Sequence, residues 1–252
     1  MSHERRIFID HDLDQARREC ALVGLSSDDA HYLRNVLRLK PGAVLTLIEK
    51  SSGREFQSLV AEIDPDLRLK ILEERAGEAC TSVIACVAVA LLKGSRLDAV
   101  CEYGTELGVE SFVFWQAERS ISRLERSDVA KRLERWRKIT EAAARQSGRR
   151  QLPRVSFAAN AKDLLSILTP SYASDRRFIC SLAAGSREMR ELPMSAGGNC
   201  LVCGPEGDFT PGEEEALRGA GFLPVSLGPL TLRSEVAAFS AVAMANGIWG
   251  LR

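Results

Sequence analysis

The chain has 252 residues, 45% of them hydrophobic, enough for one large domain or two modest ones with a packed core, and disorder is excluded. Its 34 Lys and Arg balance 34 Asp and Glu, so the net charge is zero. No apolar run reaches the ~18 residues of a membrane helix, and Met1 to Arg6 is too polar for a signal peptide, so a cytoplasmic location without a membrane partner is expected.

Up to residue 76 the pattern is one of short β runs: Arg6-Ile-Phe-Ile9, Ala43 to Ile48, Glu55 to Val60 and Leu67 to Ile71. Pro41-Gly42, Ser51-Ser-Gly53 and Asp64-Pro65 punctuate them, which predicts a small β-barrel interrupted by one helix, Asp28 to Leu39. Glu73 to Cys80, with Gly77, reads as a linker. The expected domains are therefore 1–76 and 77–252.

The second part changes character. Ser82 to Leu91 is a long apolar run, as in a strand buried on both faces. Leu97, Val100, Cys101, Gly104 and Leu107 follow at helical spacing, and Phe112-Val-Phe-Trp115 is the next strand. This βαβ pattern predicts an α/β fold with a parallel sheet. Val129, Leu133, Trp136, Ile139 and Ala143 mark one face of a further helix, whose other positions are basic. Further strands are expected at Arg177 to Leu182, Asn199 to Cys203 and Leu223 to Leu227. Thr210-Pro-Gly-Glu213 has the residues of a helix start, with Thr as cap and Glu three positions on. The last helix, Glu235 to Leu251, is apolar nearly all round, so it should need cover on two sides, from the core and from a second copy of the chain.

Charge and chemistry are unevenly placed. Glu118 to Arg154 holds twelve basic and five acidic residues, an excess of seven, and is a candidate polyanion contact. The seven cysteines are an odd number, and several, such as Cys86 and Cys180, lie in apolar runs, so they read as buried thiols. Cys200 and Cys203 have CxxC spacing, but positions i and i+3 of a strand face opposite sides. No second pair completes a zinc site, and no metal is expected. The three histidines, His3, His11 and His31, all precede the α/β part, which rules out histidine-based catalysis there. Methyl transfer suits that constraint, because the cofactor brings its own leaving group.

Two glycine-bearing loops follow strand ends: Gly204-Pro-Glu-Gly-Asp-Phe209 and Leu227-Gly-Pro-Leu-Thr-Leu-Arg-Ser-Glu235. Ligands of open α/β sheets sit beyond such ends. Together the loops resemble the paired cofactor motifs of the SPOUT superfamily of RNA methyltransferases, and most closely the RsmE family. Leu107-Gly-Val-Glu110, Glu118-Arg-Ser120, Arg135 to Ile139, Glu141 to Arg149, and His31 to Arg38 followed by Gly42 agree in order, over essentially the whole chain. Two positions depart from the pattern: Asp208 stands where the family usually has a second glycine, and Leu230-Thr231 where Arg-Ile is common.

The resemblance implies a PUA-like β-barrel followed by a SPOUT-type α/β domain with a trefoil knot, in a homodimer. It implies S-adenosyl-L-methionine as cofactor and N3 of a uridine in small-subunit ribosomal RNA, in the assembled 30S subunit, as target. The cofactor is expected on Leu182, Gly204, Pro205, Glu206, Gly207, Leu227, Gly228, Leu232 and Glu235. RNA is expected on His31, Arg38, Arg119, Ser120, Gln146, Ser147 and Arg149. The N3 proton must leave, either to a carboxylate or with Arg119 or Arg233 stabilising the uracil anion; Arg233 could instead hold its loop through Glu235 or a backbone carbonyl. Two other readings stay open: a non-catalytic RNA-binding assembly factor, and a relative acting on transfer RNA.

Overall fold

A computed structural model describes residues 5–76, 83–183, 185–192 and 198–250. His3 and the end of the expected linker, from Gly77 to Cys80, lie outside them. The chain forms two compact units: Met1–Ala79 with Ala144–Leu152, and Cys80–Ala143 with Pro153–Arg252.

The first unit is a five-stranded sheet of β1 (Arg6–Ile9), β2 (Leu22–Gly24), β3 (Val44–Glu49), β4 (Glu55–Glu62) and β5 (Arg68–Arg75), ordered β1-β3-β4-β5-β2. β1 and β3 are parallel; the other pairs are antiparallel. Leu45, Leu47, Phe56, Val60, Leu69 and Ile71 bury one core with Leu13 and Leu33. Two short elements have no clear sequence signal, α1 (Leu13–Arg18) and the three-residue β2. The helix expected to Leu39 is α2 (Ser27–His31) followed by one wide π-type turn, Tyr32–Val36. Ala144 and Leu152 pack with Phe8 and Ile48. Beside them the buried carboxylate of Glu55 takes Arg6 at 2.7 Å and Arg150 at 2.8 Å. Removing either arginine would leave a buried charge short of a partner.

The second unit is a seven-stranded parallel sheet ordered β10-β12-β9-β11-β6-β7-β8. Its strands are β6 (Ile84–Ala90), β7 (Ser111–Trp115), β8 (Arg154–Ala158), β9 (Arg177–Cys180), β10 (Arg187–Glu188), β11 (Asn199–Cys203) and β12 (Leu223–Ser226). Its helices are α3 (Arg96–Glu106), α4 (Arg126–Ser147), α5 (Ala161–Ser171), α6 (Pro211–Gly219) and α7 (Ser234–Trp249), the last turn of α4 belonging to the first unit. β6 is buried along its whole length, as its apolar run predicts. Ile84, Val87 and Val89 face Trp136 of α4 and Ala238, Ala241 and Val242 of α7. Cys86, Ala88 and Ala90 face the other way, toward Leu164 and Leu168 of α5 and Leu217 of α6. The same alternation puts Cys200 and Cys203 on opposite faces of β11. β11 ends in the first glycine loop and lies between β6 and β9, so β9, β11 and β12 present three neighbouring carboxyl ends.

α6 starts as its sequence predicts. The Glu213 amide donates to Thr210 Oγ1 at 3.3 Å, and Glu213 Oε2 accepts from the Thr210 amide at 2.9 Å. Glu213 Oε1 accepts from the Glu118 amide at 2.8 Å, so one buried carboxylate caps a helix and holds the loop after β7. Among the described residues no helix is long and apolar enough to cross a membrane.

Candidate functional site

The loop after β11 is fixed by close packing. A Cβ on Gly204 would stand 3.1 Å from the Phe209 ring, which is buried and stacks on Trp115 with centroids 6.1 Å apart. A Cβ on Gly207 would meet Arg119 Cβ at 3.1 Å and the Arg119 carbonyl at 3.3 Å. Both glycines are therefore needed for approach, not for backbone angle. The left-handed residue of the loop is Asp208, at φ +61°, and its Oδ1 accepts from the Phe209 amide at 2.8 Å. A short side chain that bonds its own loop is tolerated in this conformation, which accounts for Asp where the family pattern has Gly.

The second loop leaves β12 through Gly228, at φ +123°, whose amide donates to Ser226 Oγ at 3.3 Å. It reaches α7 through Arg233 in extended conformation.

Between these loops and the end of β9 lies a cavity of about 330 Å³, inside the ~300 to 1,000 Å³ span of small-molecule sites. Of the expected cofactor residues, Leu182, Gly204, Pro205, Glu206, Leu227, Gly228 and Leu232 line it. Gly207 and Glu235 do not; they stand behind its walls. Arg233 lines the rim, exposed, and its guanidinium has no hydrogen bond or ion pair among the described residues. It does not bond Glu235. The residue that does stand against Glu235 is Arg96, whose Nε lies 3.7 Å from Oε1.

Arg119 is placed differently from Arg233. Its Nη1 donates to the carbonyls of Gly207 at 3.3 Å and Phe209 at 3.1 Å, so it supports the first loop from outside the cavity. Ser120 is buried, and its amide donates to the Ala117 carbonyl at 3.1 Å.

The cavity floor holds two cysteines that the sequence placed only as buried thiols. Cys180 and Cys203, at the ends of β9 and β11, bring their sulfurs to 3.6 Å. Holding its proton in the contact with Cys203, together with burial, pushes the Cys180 thiol well above its ordinary value. It is a neutral, weakly polar wall and not a nucleophile. Ser181 fixes its side by donating from Oγ to Glu214 at 3.0 Å.

The other expected RNA residues fall in the first unit. Arg145 pairs with Asp29 at 3.1 Å and lies over the Tyr32 ring at 5.9 Å. Exposed Gln146 and Ser147 are thereby tied to the segment that carries exposed His31. His31 Nδ1 is 2.8 Å from Asn35 Nδ2. Arg38 is exposed, at φ +49°, and Arg149 is half-buried, its amide donating to the Ala144 carbonyl at 3.0 Å. Part of the basic excess of α4 is engaged within the second unit, since Arg135 pairs with Asp98 at 2.6 Å.

Comparison with known proteins agrees with this architecture. Residues 80–246 match the family described as an RNA methyltransferase domain, and residues 25–71 the family described as an RNA methyltransferase PUA domain. Ribosomal RNA small subunit methyltransferase E of Mycobacterium bovis is 30% identical over 224 residues, covering 88% of this chain and 85% of the relative. The Bacillus subtilis protein of that name is 28% identical over 245 residues, 94% of each chain. A solved ribosomal RNA small subunit methyltransferase E from Neisseria gonorrhoeae, bound to S-adenosyl methionine, superposes with TM-score 0.87 at 27% identity, covering 98% of both chains. A methyltransferase structure from Legionella pneumophila with bound SAM superposes with TM-score 0.86 at 26% identity, covering 99% of both.

Proposed function

The chain belongs to the RNA methyltransferase family that includes ribosomal RNA small subunit methyltransferase E, and we propose that it methylates N3 of one uridine of small-subunit ribosomal RNA. It is an S-adenosylmethionine-dependent rRNA methyltransferase with a PUA-like first unit and a SPOUT-type α/β second unit. The observation that carries the reading is the cavity at the ends of β9, β11 and β12, walled by two backbone-rich loops.

The lining fits the cofactor. Leu182, Leu227 and Leu232 offer apolar contact to a purine, and loop amides, carbonyls and the Ser181 and Thr231 hydroxyls offer hydrogen bonds. Glu206 holds its carboxylate on Arg96 and the Lys93 amide. When bound, the cofactor supplies an electrophilic methyl group on sulfur. The chain's own work is to hold the uracil in line and to stabilise the charge it develops as N3 loses its proton to water. Arg233 takes that second role, because its guanidinium is uncommitted at the rim, while Arg119 positions the first loop.

RNA docks along His31, Arg38, Gln146, Ser147 and Arg149 of the first unit; in the second unit Arg119 supports the first loop and Ser120 is buried. Assembled 30S subunits are the substrate. The chain acts as a homodimer: exposed Val236, Met244 and Ile248 leave apolar surface on α7. Sedimentation at micromolar concentration is expected to return the mass of two chains; a monomer would contradict this. The insertion of β11 between β6 and β9 supports the trefoil knot, which a traced crystal structure checks.

The substrate reading is tested by offering labelled S-adenosylmethionine with unmodified small subunits or with free transfer RNA. Label is expected on the small subunit, with the yield falling steeply as salt rises. Transfer to transfer RNA alone would reject the target, and absence of cofactor binding by calorimetry would leave an RNA-binding assembly factor.

A further inference from the structure

Three separated stretches of chain meet at Arg96, the first residue of α3. Glu206, in the loop after β11, accepts through Oε1 from Arg96 Nη1 at 3.1 Å and from the Lys93 amide at 3.1 Å. Glu235, in the first turn of α7, places its Oε1 3.7 Å from Arg96 Nε. The remaining oxygens, Glu206 Oε2 and Glu235 Oε2, are buried with no hydrogen-bond partner. Two largely buried carboxylates thus share one guanidinium.

The neighbours of these carboxylates are the walls of the cavity. Pro205 precedes Glu206 and Ser234 precedes Glu235, and both line it. The distance between the two loops is therefore set where their carboxylates converge. With the guanidinium present, opposite charge draws them together. Without it, two like charges with unsatisfied oxygens face each other in a poorly hydrated place, and the loops are driven apart.

We propose that Arg96 is a positioning residue of the cofactor pocket, a clasp that holds Glu206 and Glu235 together and so fixes the spacing of the two loops that bind S-adenosylmethionine. Glu206 lines the cavity and Glu235 stands behind its wall, and Arg96 fixes both. Arg233, by contrast, stays free for the substrate because Glu235 is already taken. The inference rests on the reading of the cavity as the cofactor site.

The test uses the full-length chain with Arg96→Gln, Arg96→Lys and the double variant Arg96→Gln/Glu235→Gln. For Arg96→Gln, the KM for S-adenosylmethionine and the Kd by calorimetry should rise about tenfold. The kcat at saturating cofactor should change much less, and RNA affinity should hold. Arg96→Lys keeps the charge and should recover part of the loss. The double variant removes the like-charge pair and should bind the cofactor better than Arg96→Gln alone, which loss of packing does not predict.

An unchanged cofactor KM in Arg96→Gln would overturn the clasp. So would a double variant no better than the single one, or an equal fall in RNA affinity, which would mark general unfolding. A wild-type chain that binds no S-adenosylmethionine would instead overturn the reading of the cavity itself.

Discussion

Replacing Arg233 by glutamine is expected to lower kcat for methyl transfer by about 10² to 10³, the usual cost of removing one donor aimed at a developing anion. The KM for cofactor should change little, because the guanidinium lies on the rim and touches neither loop carboxylate. Arg233→Lys keeps a positive charge without the planar fork and should fall between the two. Initial rates at saturating cofactor and RNA separate these cases. An unchanged kcat in Arg233→Gln would remove Arg233 from the chemistry. It would return the question to the carboxylates, of which Glu206 and Glu235 are already held at Arg96.

The second large effect is expected at Gly228. Its φ of +123° lies where residues with a Cβ are strained, at a cost of about 1 to 3 kcal/mol. Space is not the obstacle, since an added Cβ would meet nothing within 4 Å. Gly228→Val should therefore relieve its strain by re-routing the exposed loop that carries Leu230, Leu232 and Arg233. Cofactor affinity should fall about tenfold or more, with a small change in Tm. Calorimetry beside a melting curve checks both. A large loss of Tm with retained affinity would show that the loop is part of the stability core and not of the pocket.

Much of the second unit was legible because its signals are local. The apolar run of β6 announced burial on both faces, and Thr210-Pro-Gly-Glu213 announced the start of α6. The spacing of Cys200 and Cys203 gave their opposite faces correctly. Elements held chiefly by partners were less legible. β2 has three residues and exists by pairing with β5, and β8 completes a sheet edge by pairing with β7. Likewise Ala144 and Leu152 join the first unit through contact with Phe8 and Ile48, which no periodicity encodes.

The site divides the same way. Motifs located the two loops, and Gly204, Leu227, Gly228 and Leu232 fall on one cavity. A motif gives the neighbourhood of a residue, not the direction of its side chain. Gly207 and Glu235 lie within the loops yet stand behind the cavity wall, one against Arg119 and the other against Arg96. Arg96 had no signal at all, because its partner Glu206 is 110 positions away. Asp208 could be read only once its φ of +61° was known.

The position of the transferred methyl group decides the function. Unmodified small subunits methylated by the chain with labelled S-adenosylmethionine, then digested to nucleosides and resolved by mass spectrometry, answer this directly. The expected product is a single 3-methyluridine from small-subunit RNA. Label on a ribose hydroxyl, on another base, or on no RNA nucleoside would contradict uridine N3 as the target.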